Sequence, residues 1–252
     1  MQLNETYLVS AVRTAVGKSG RGTLQQARPE YMGAEVVKAA IERAGANPER
    51  IDDVIIGCAF PEGPQGMNMG RAIAIKAGLP ETVPGLTVNR FCSSGLQTIA
   101  QGFNRITLGQ ADCIVAGGSE SMSAVPMGGF YFAPDPALAQ DTPDFYASMG
   151  ITAENVADQY GFSRADQDAF AFRSHQRALD AIDSGRFADE IVPLHVEGVV
   201  YHDGSTVEMK TVFDTDEGPR RDTSIEALAR LRPVIKKGGS VTAGNSSQTS
   251  DG

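Results

Sequence analysis

Thr87-Val88-Asn89-Arg90-Phe91-Cys92-Ser93-Ser94-Gly95-Leu96 is the stretch on which the fold turns. Leu86 to Val88 is a short apolar run with the character of a strand end. After Cys92, the residues Leu96, Ile99, Ala100 and Phe103 recur at spacings of three and four, which predicts a helix with an apolar face. Cys92 therefore falls where a strand turns into a helix. Unpaired N–H groups and the positive end of the helix dipole favour a thiolate at such a place, and the thiolate is the nucleophilic form. A plainer alternative stands beside this one, because free cysteines are most often small buried apolar residues. The neighbours favour chemistry. Ser93, Ser94 and Gly95 leave room above the sulfur, and a glycine inside a helix suggests close packing or an approaching ligand.

Working outward, residues 1 to about 118 alternate strand and helix. Strands are predicted over Tyr7–Val12, Val54–Phe60, the Leu86 run and Asp112–Ala116. Helices are predicted over Tyr31–Ala44, stopped by Gly45, and over Met69–Ala77, stopped by Gly78. The alternation predicts an α/β fold with helices flanking a largely parallel sheet. From Ser119 to about Pro143, Gly, Pro, Ser and Met dominate without a period, predicting loops over a site or an interface. Ser163 with Asp166 resembles a capping box opening a long helix that ends near Gly185. Ile191–Val200 and Thr206–Val212 form a predicted hairpin around Asp203-Gly204, and Ile225–Leu231 a short helix before Pro233.

The 252 residues suffice for a sizeable core, and 41% apolar and 21% charged residues are ordinary for a globular chain. A formal charge of −9 argues against a nucleic-acid partner, so an anionic substrate must be met by local cations. The cysteines, Cys58, Cys92 and Cys113, have no zinc-site spacing, and Cys58 and Cys113 lie in strand-like runs where core packing is expected. A reducing, cytoplasmic compartment suits three unpaired thiols. No leader pattern and no apolar run near the ~20 residues needed to span a bilayer occurs, so no membrane association is expected.

With these residues in view, the chain resembles the N-terminal part of the thiolase family, the 3-ketoacyl-CoA thiolases and acetyl-CoA acetyltransferases. The matching segments are Ala11-Val12-Arg13-Thr14, Gly63-Pro64-Gln65-Gly66-Met67-Asn68, Val88 to Leu96 around Cys92, and Ala116-Gly117-Gly118-Ser119-Glu120-Ser121-Met122-Ser123. Met149-Gly150-Ile151-Thr152-Ala153-Glu154-Asn155, Ser163 to Asp168, and Val241-Thr242-Ala243-Gly244-Asn245-Ser246-Ser247 follow in order.

The resemblance implies a thiolase-like layered α/β fold. Residues 1–118 would form a domain carrying the nucleophile, 119–244 a loop domain for coenzyme A, and 245–252 the start of a return into the first domain. It implies acyl transfer from a 3-ketoacyl-CoA to coenzyme A through an acyl-Cys92 intermediate, or the reverse condensation of acetyl-CoA. Ser247, Ala243 and Met149 match residues along the pantetheine arm, and Arg220 a basic residue near the nucleotide. Coenzyme A enters as substrate, no permanently bound cofactor is implied, and the full-length form would be a homodimer or homotetramer. Ser148 stands where some acetoacetyl-CoA thiolases carry a histidine, which points to the broader 3-ketoacyl, fatty-acid-degrading branch. The family's base and second cysteine belong to Gly-His-Pro and Cys-Gly-Gly-type motifs, which this sequence lacks. His175, His195 and His202 sit outside any such motif, so no catalytic role is expected for them. A mirrored C-terminal domain is also missing, so this chain alone is expected to be nearly inactive, with an exposed apolar face. A ketoacyl synthase-type condensing enzyme and a non-catalytic acyl-CoA-binding domain of the same fold remain the competing readings.

Overall fold

In chain order the elements are β1 (Gly17–Lys18), α1 (Pro29–Ala44), β2 (Asp53–Gly57), α2 (Met69–Lys76), β3 (Gly85–Val88), α3 (Ser94–Thr107) and β4 (Ile114–Gly118). Then come α4 (Pro136–Asp141), α5 (Met149–Tyr160), α6 (Arg164–Asp183), β5 (Leu194–His202), β6 (Ser205–Phe213), α7 (Ile225–Ala229) and β7 (Ser250–Asp251). The computed structural model describes residues 3–202 and 205–252, so the Asp203-Gly204 turn lies outside the described residues. Two compact units are present. One comprises Met1–Phe130, Ala188–Glu217 and Thr249–Gly252, the other Tyr131–Phe187 and Gly218–Gln248.

In the first unit, every residue of β2 is buried, as a central strand covered on both faces requires. It pairs in parallel with β3 on one side and β4 on the other, setting Ile55 opposite Leu86 and Ala116. Alternation sends Val54, Ile56 and Cys58 to one face, where they pack with Val37 and Ile41 of α1 and Met69 and Ile73 of α2. Gly45 ends α1 in the left-handed region at φ 61°, the stop its sequence predicts. The opposite face of β2 meets α3, and the short strands β1 and β7 pair antiparallel, Gly17 opposite Asp251.

The strand predicted over Tyr7–Val12 is absent. Tyr7, Leu8 and Val9 are 71%, 80% and 73% exposed, and no strand among the described residues offers them a ladder. An apolar run becomes a strand only when a neighbour takes its N–H and C=O groups. The fourth predicted strand occurs two residues later than its sequence suggests, at Ile114–Gly118.

The second unit is helical. The capping box at its longest helix is complete: Asp166 N–H donates to Ser163 Oγ at 3.1 Å and Ser163 N–H to Asp166 Oδ2 at 3.0 Å. The stretch that lacks a period holds α4, and α5 follows it without having been foreseen. Ser148 opens α5 by accepting from Ile151 N–H at 3.3 Å, and Gly161 closes it at φ 70°. A buried carboxylate, Glu154 of α5, accepts the N–H groups of Ser240 and Val241 at 3.0 and 2.9 Å and so anchors that loop.

Candidate active site at Cys92

β3 ends at Val88, and six residues later α3 has begun. A turn this tight needs an unusual backbone, and Phe91 supplies it with φ 47°, a left-handed conformation that costs a bulky residue about 1–2 kcal/mol. Side chains hold it there. Asn89 Oδ1 accepts Phe91 N–H at 2.9 Å, and Asn89 Nδ2 donates to Ala59 O at 2.9 Å. Buried Ser94 bridges the turn: its Oγ accepts Arg90 N–H at 2.9 Å and donates to Phe91 O at 2.6 Å. Cys92 rides on this elbow and is exposed to solvent, two residues ahead of the helix. The N-terminus of α3 has no side-chain cap, so none of its own side chains covers the dipole's positive end.

The elbow can form because β2 and β4 end in glycine. A Cβ on Gly57 would sit 2.6 Å from Ser94 C and 2.8 Å from Gly95 N, and one on Gly118 would lie 3.7 Å from Gly95 Cα. The beginning of α3 therefore rests on bare backbone. Gly95 itself faces open space, with nothing within 4 Å of a Cβ built there. Of the two explanations for a helical glycine, close packing of its own hydrogen is thus excluded, and room for a ligand remains.

The helix read from the spacing of three and four after Cys92 is present, with its apolar face turned outward. The apolar face read from Leu96, Ile99 and Phe103 does not meet the sheet; these side chains are 71%, 49% and 52% exposed. The face that meets the sheet is a stripe of small residues spaced by four, Ser94, Thr98 and Gly102, all buried. Thr98 Oγ1 lies 2.9 Å from Gly117 O, and the missing side chain of Gly102 lets Ile114 and Ala116 approach. The end of the sheet face here is built of Gly57, Ala116 and Gly118, which accept a small stripe and would leave large side chains standing off.

The other cysteines are not placed for nucleophilic work. Cys58 is fully buried, and burial together with the carboxylate of Glu120 pushes its thiol up to about 12. Cys113 is half-buried, and burial also raises its thiol. In the second unit Met149, Arg220, Ala243 and Ser247 are all exposed. Met149 borders a shallow, mostly apolar hollow of about 380 Å³ with Val156 and Phe162. Arg220 is paired with Asp222 at 2.9 Å, and its backbone N–H donates to His175 Nδ1 at 3.2 Å. Burial and the nearby Arg220 lower the His175 value, which keeps Nδ1 free to accept. His195 is exposed on β5. Sequence reasoning missed Asn89, Gly57 and the left-handed Phe91. Only the adjacency of Asn89 to the turn could have hinted at them.

Residues 6–252 match the family described as thiolase, N-terminal domain. This chain belongs to the thiolase family. It is 53% identical over 251 residues to a 3-ketoacyl-CoA thiolase of Bacillus subtilis, covering 99% of this chain and 64% of the relative. It is 44% identical over 261 residues to an acetyl-CoA acetyltransferase of Syntrophomonas wolfei, covering 98% of this chain and 63% of that protein. The crystal structure of the Bacillus anthracis acetyl-CoA acetyltransferase superimposes with a TM-score of 0.83 at 37% identity, covering 99% of this chain and 64% of that one. The thiolase fold expected from the motifs is thus the fold found. The chain spans just under two thirds of the length of these relatives. Among the described residues no helix is long and apolar enough to cross a membrane.

Proposed function

We propose that this thiolase-family protein transfers an acyl group between a 3-ketoacyl-CoA and coenzyme A through a thioester on Cys92. The Cys92 thiolate attacks the 3-keto carbon, and the C2–C3 bond breaks. The electron pair leaves with acetyl-CoA, which takes up a proton. Coenzyme A thiolate then attacks the acyl-Cys92 carbonyl, releasing a shortened acyl-CoA and restoring the cysteine. A covalent intermediate splits one difficult step into two easier ones. The observation that carries this reading is the strained elbow, which presents an exposed Cys92 beside the open space over Gly95 at an uncapped helix start.

Coenzyme A is the substrate, held in this reading by the segment 119–244 with Ser247, Ala243, Met149 and Arg220 along it. The exposure of all four side chains supports the assignment. In this reading the base and second acid come from further sequence of the kind that makes the relatives longer, and that further sequence also covers the Leu96–Phe103 face. A cytoplasmic, homo-oligomeric enzyme of fatty-acid degradation completes the proposal, the free thiols supporting only its reducing compartment.

The test is acylation. Incubation with acetoacetyl-CoA, followed by peptide mapping, should find one acetyl group on Cys92 and none in Cys92→Ser. A variant extended to the relatives' length should add thiolysis with coenzyme A, faster by orders of magnitude than the 252-residue chain. Acylation that persists in Cys92→Ser, or thiolysis by the short chain at the rate of the long one, would overturn the reading.

A further inference from the structure

Glu120 lies in the Gly117-Gly118-Ser119-Glu120-Ser121 motif, yet the acyl-transfer scheme gives it no task. Its surroundings are those of a device. The backbone of Glu120 is pinned on both sides to Gly252, N–H to O at 2.9 Å and O to N–H at 3.0 Å. Its carboxylate reaches back across the end of β2, accepting Ala59 N–H at 2.6 Å and Phe60 N–H at 3.4 Å. Gln65, fully buried, donates from Nε2 to the same carboxylate at 2.6 Å and to Phe60 O at 2.8 Å. The amide oxygen of Gln65 takes Ser121 N–H at 2.5 Å, which fixes the amide's orientation. The Cys58 thiol points at the carboxylate from 3.7 Å.

The two residues that Glu120 grips help to hold the elbow, beside the Ser94 bridge. Ala59 O accepts from Asn89 Nδ2, whose other end, Oδ1, accepts Phe91 N–H. The ring of Phe60 packs on that of Phe91 with centroids 6.1 Å apart. One route runs through hydrogen bonds and the other through packing, and both end on the left-handed residue immediately before Cys92.

We propose that Glu120 is a positioning residue for Cys92: through Ala59–Asn89 and Phe60–Phe91 it holds the elbow that presents the sulfur. The proposal rests on Cys92 being the nucleophile. It assigns Glu120 no contact with substrate. A strained turn relaxes unless its surroundings over-determine it, and this network is what over-determines it.

The test is the second-order rate of iodoacetamide alkylation at Cys92, read by peptide mapping across pH 6 to 9 for the 252-residue chain. Glu120→Gln keeps volume and one acceptor for Ala59 N–H but sets two amide NH2 groups against each other at Gln65. Glu120→Ala removes the grip entirely. Asn89→Ala cuts the second link. Iodoacetamide diffuses freely, so its rate reads the access and electrostatic surroundings that the elbow gives the sulfur at the start of α3. Glu120→Ala and Asn89→Ala should each slow Cys92 alkylation by about tenfold, Glu120→Gln by less, and the double variant no more than the worse single, because residues in one chain of contacts do not add. The sign separates geometry from charge. Losing a nearby negative charge by itself favours a thiolate and would speed the reaction.

Variants within about twofold of wild type, faster alkylation, or fully additive losses overturn the proposal. Native Cys58 reports folding, because it is buried and unreactive. If Glu120→Ala exposes Cys58 to label, Glu120→Gln decides; if that variant exposes it too, Glu120 merely holds the fold and the positioning role is refuted. Wild-type Cys92 reacting no faster than Cys113 would instead sink the nucleophile assignment on which the proposal stands.

Discussion

Replacing Gly57 by alanine should damage this protein out of proportion to one methyl group. The new Cβ would meet Ser94 C at 2.6 Å, Gly95 N at 2.8 Å and Ser94 Cβ at 2.8 Å. Two of these are backbone atoms, which cannot rotate aside. Non-bonded carbons settle at about 3.5–4.0 Å, so the first turn of α3 must retreat by about 1 Å. That movement strains the Ser94 Oγ bridge, whose bonds to Arg90 and Phe91 are 2.9 and 2.6 Å long. Overpacking costs about 1–3 kcal/mol and a weakened buried hydrogen bond about 1 more, so about 3 kcal/mol is expected in all. Urea unfolding followed by far-UV circular dichroism measures it. With a slope of about 3 kcal/mol/M, the midpoint should fall by about 1 M. Gly95→Ala is the matched control. Its Cβ would meet nothing, so the midpoint should hold or rise, by at most about 1 kcal/mol equivalent. Yet Gly95→Ala should slow acylation of Cys92 if substrate occupies that space. A Gly57→Ala midpoint equal to wild type would refute the close-approach account of the elbow.

Other outcomes follow from the same structure. Burial pushes the Glu154 carboxyl up, but hydrogen bonds from Ser240 and Val241, aided by Lys236, outweigh it and hold the group below its ordinary 4.5. The stability this contributes is present above 4.5 and is lost as pH falls through the lower folded value, so the urea midpoints of wild type and Glu154→Gln should differ at pH 7 and converge in acid. Ser163→Ala should cost about 1 kcal/mol through the lost capping box, and an unchanged melting temperature would contradict the cap. Leu96→Ser and Phe103→Ser should each cost less than about 1 kcal/mol in this chain while reducing binding of a hydrophobic dye. In a form of the relatives' length the same changes should cost about 2–5 kcal/mol if that face becomes core, and equal costs in both forms would show that it stays exposed.

Much of the fold could be read locally. Gly45, Gly78 and the Ser163–Asp166 pair mark helix ends through the conformations and hydrogen bonds available within a few residues, and the structure has helices ending there. The strand-to-helix junction at Cys92 was legible for the same reason: hydrophobic spacing changes period across it. The motifs around it sufficed to indicate the family.

What periodicity could not say is which face of an element finds a neighbour. The apolar stripe of α3 was visible, but the sheet it meets ends in glycine and alanine, so close approach favoured Ser94, Thr98 and Gly102 instead. Tyr7–Val12 has the residues of a strand, yet a strand is a property of a pair, and among the described residues no partner is present. The left-handed Phe91, the space under Gly57 and the grip of Glu120 on Ala59 and Phe60 join residues as many as 61 apart in sequence. Local propensity carries no record of contacts at that range. Sequence alone therefore located the sulfur at a strand–helix junction, while the conformation that presents it was decided by tertiary contacts.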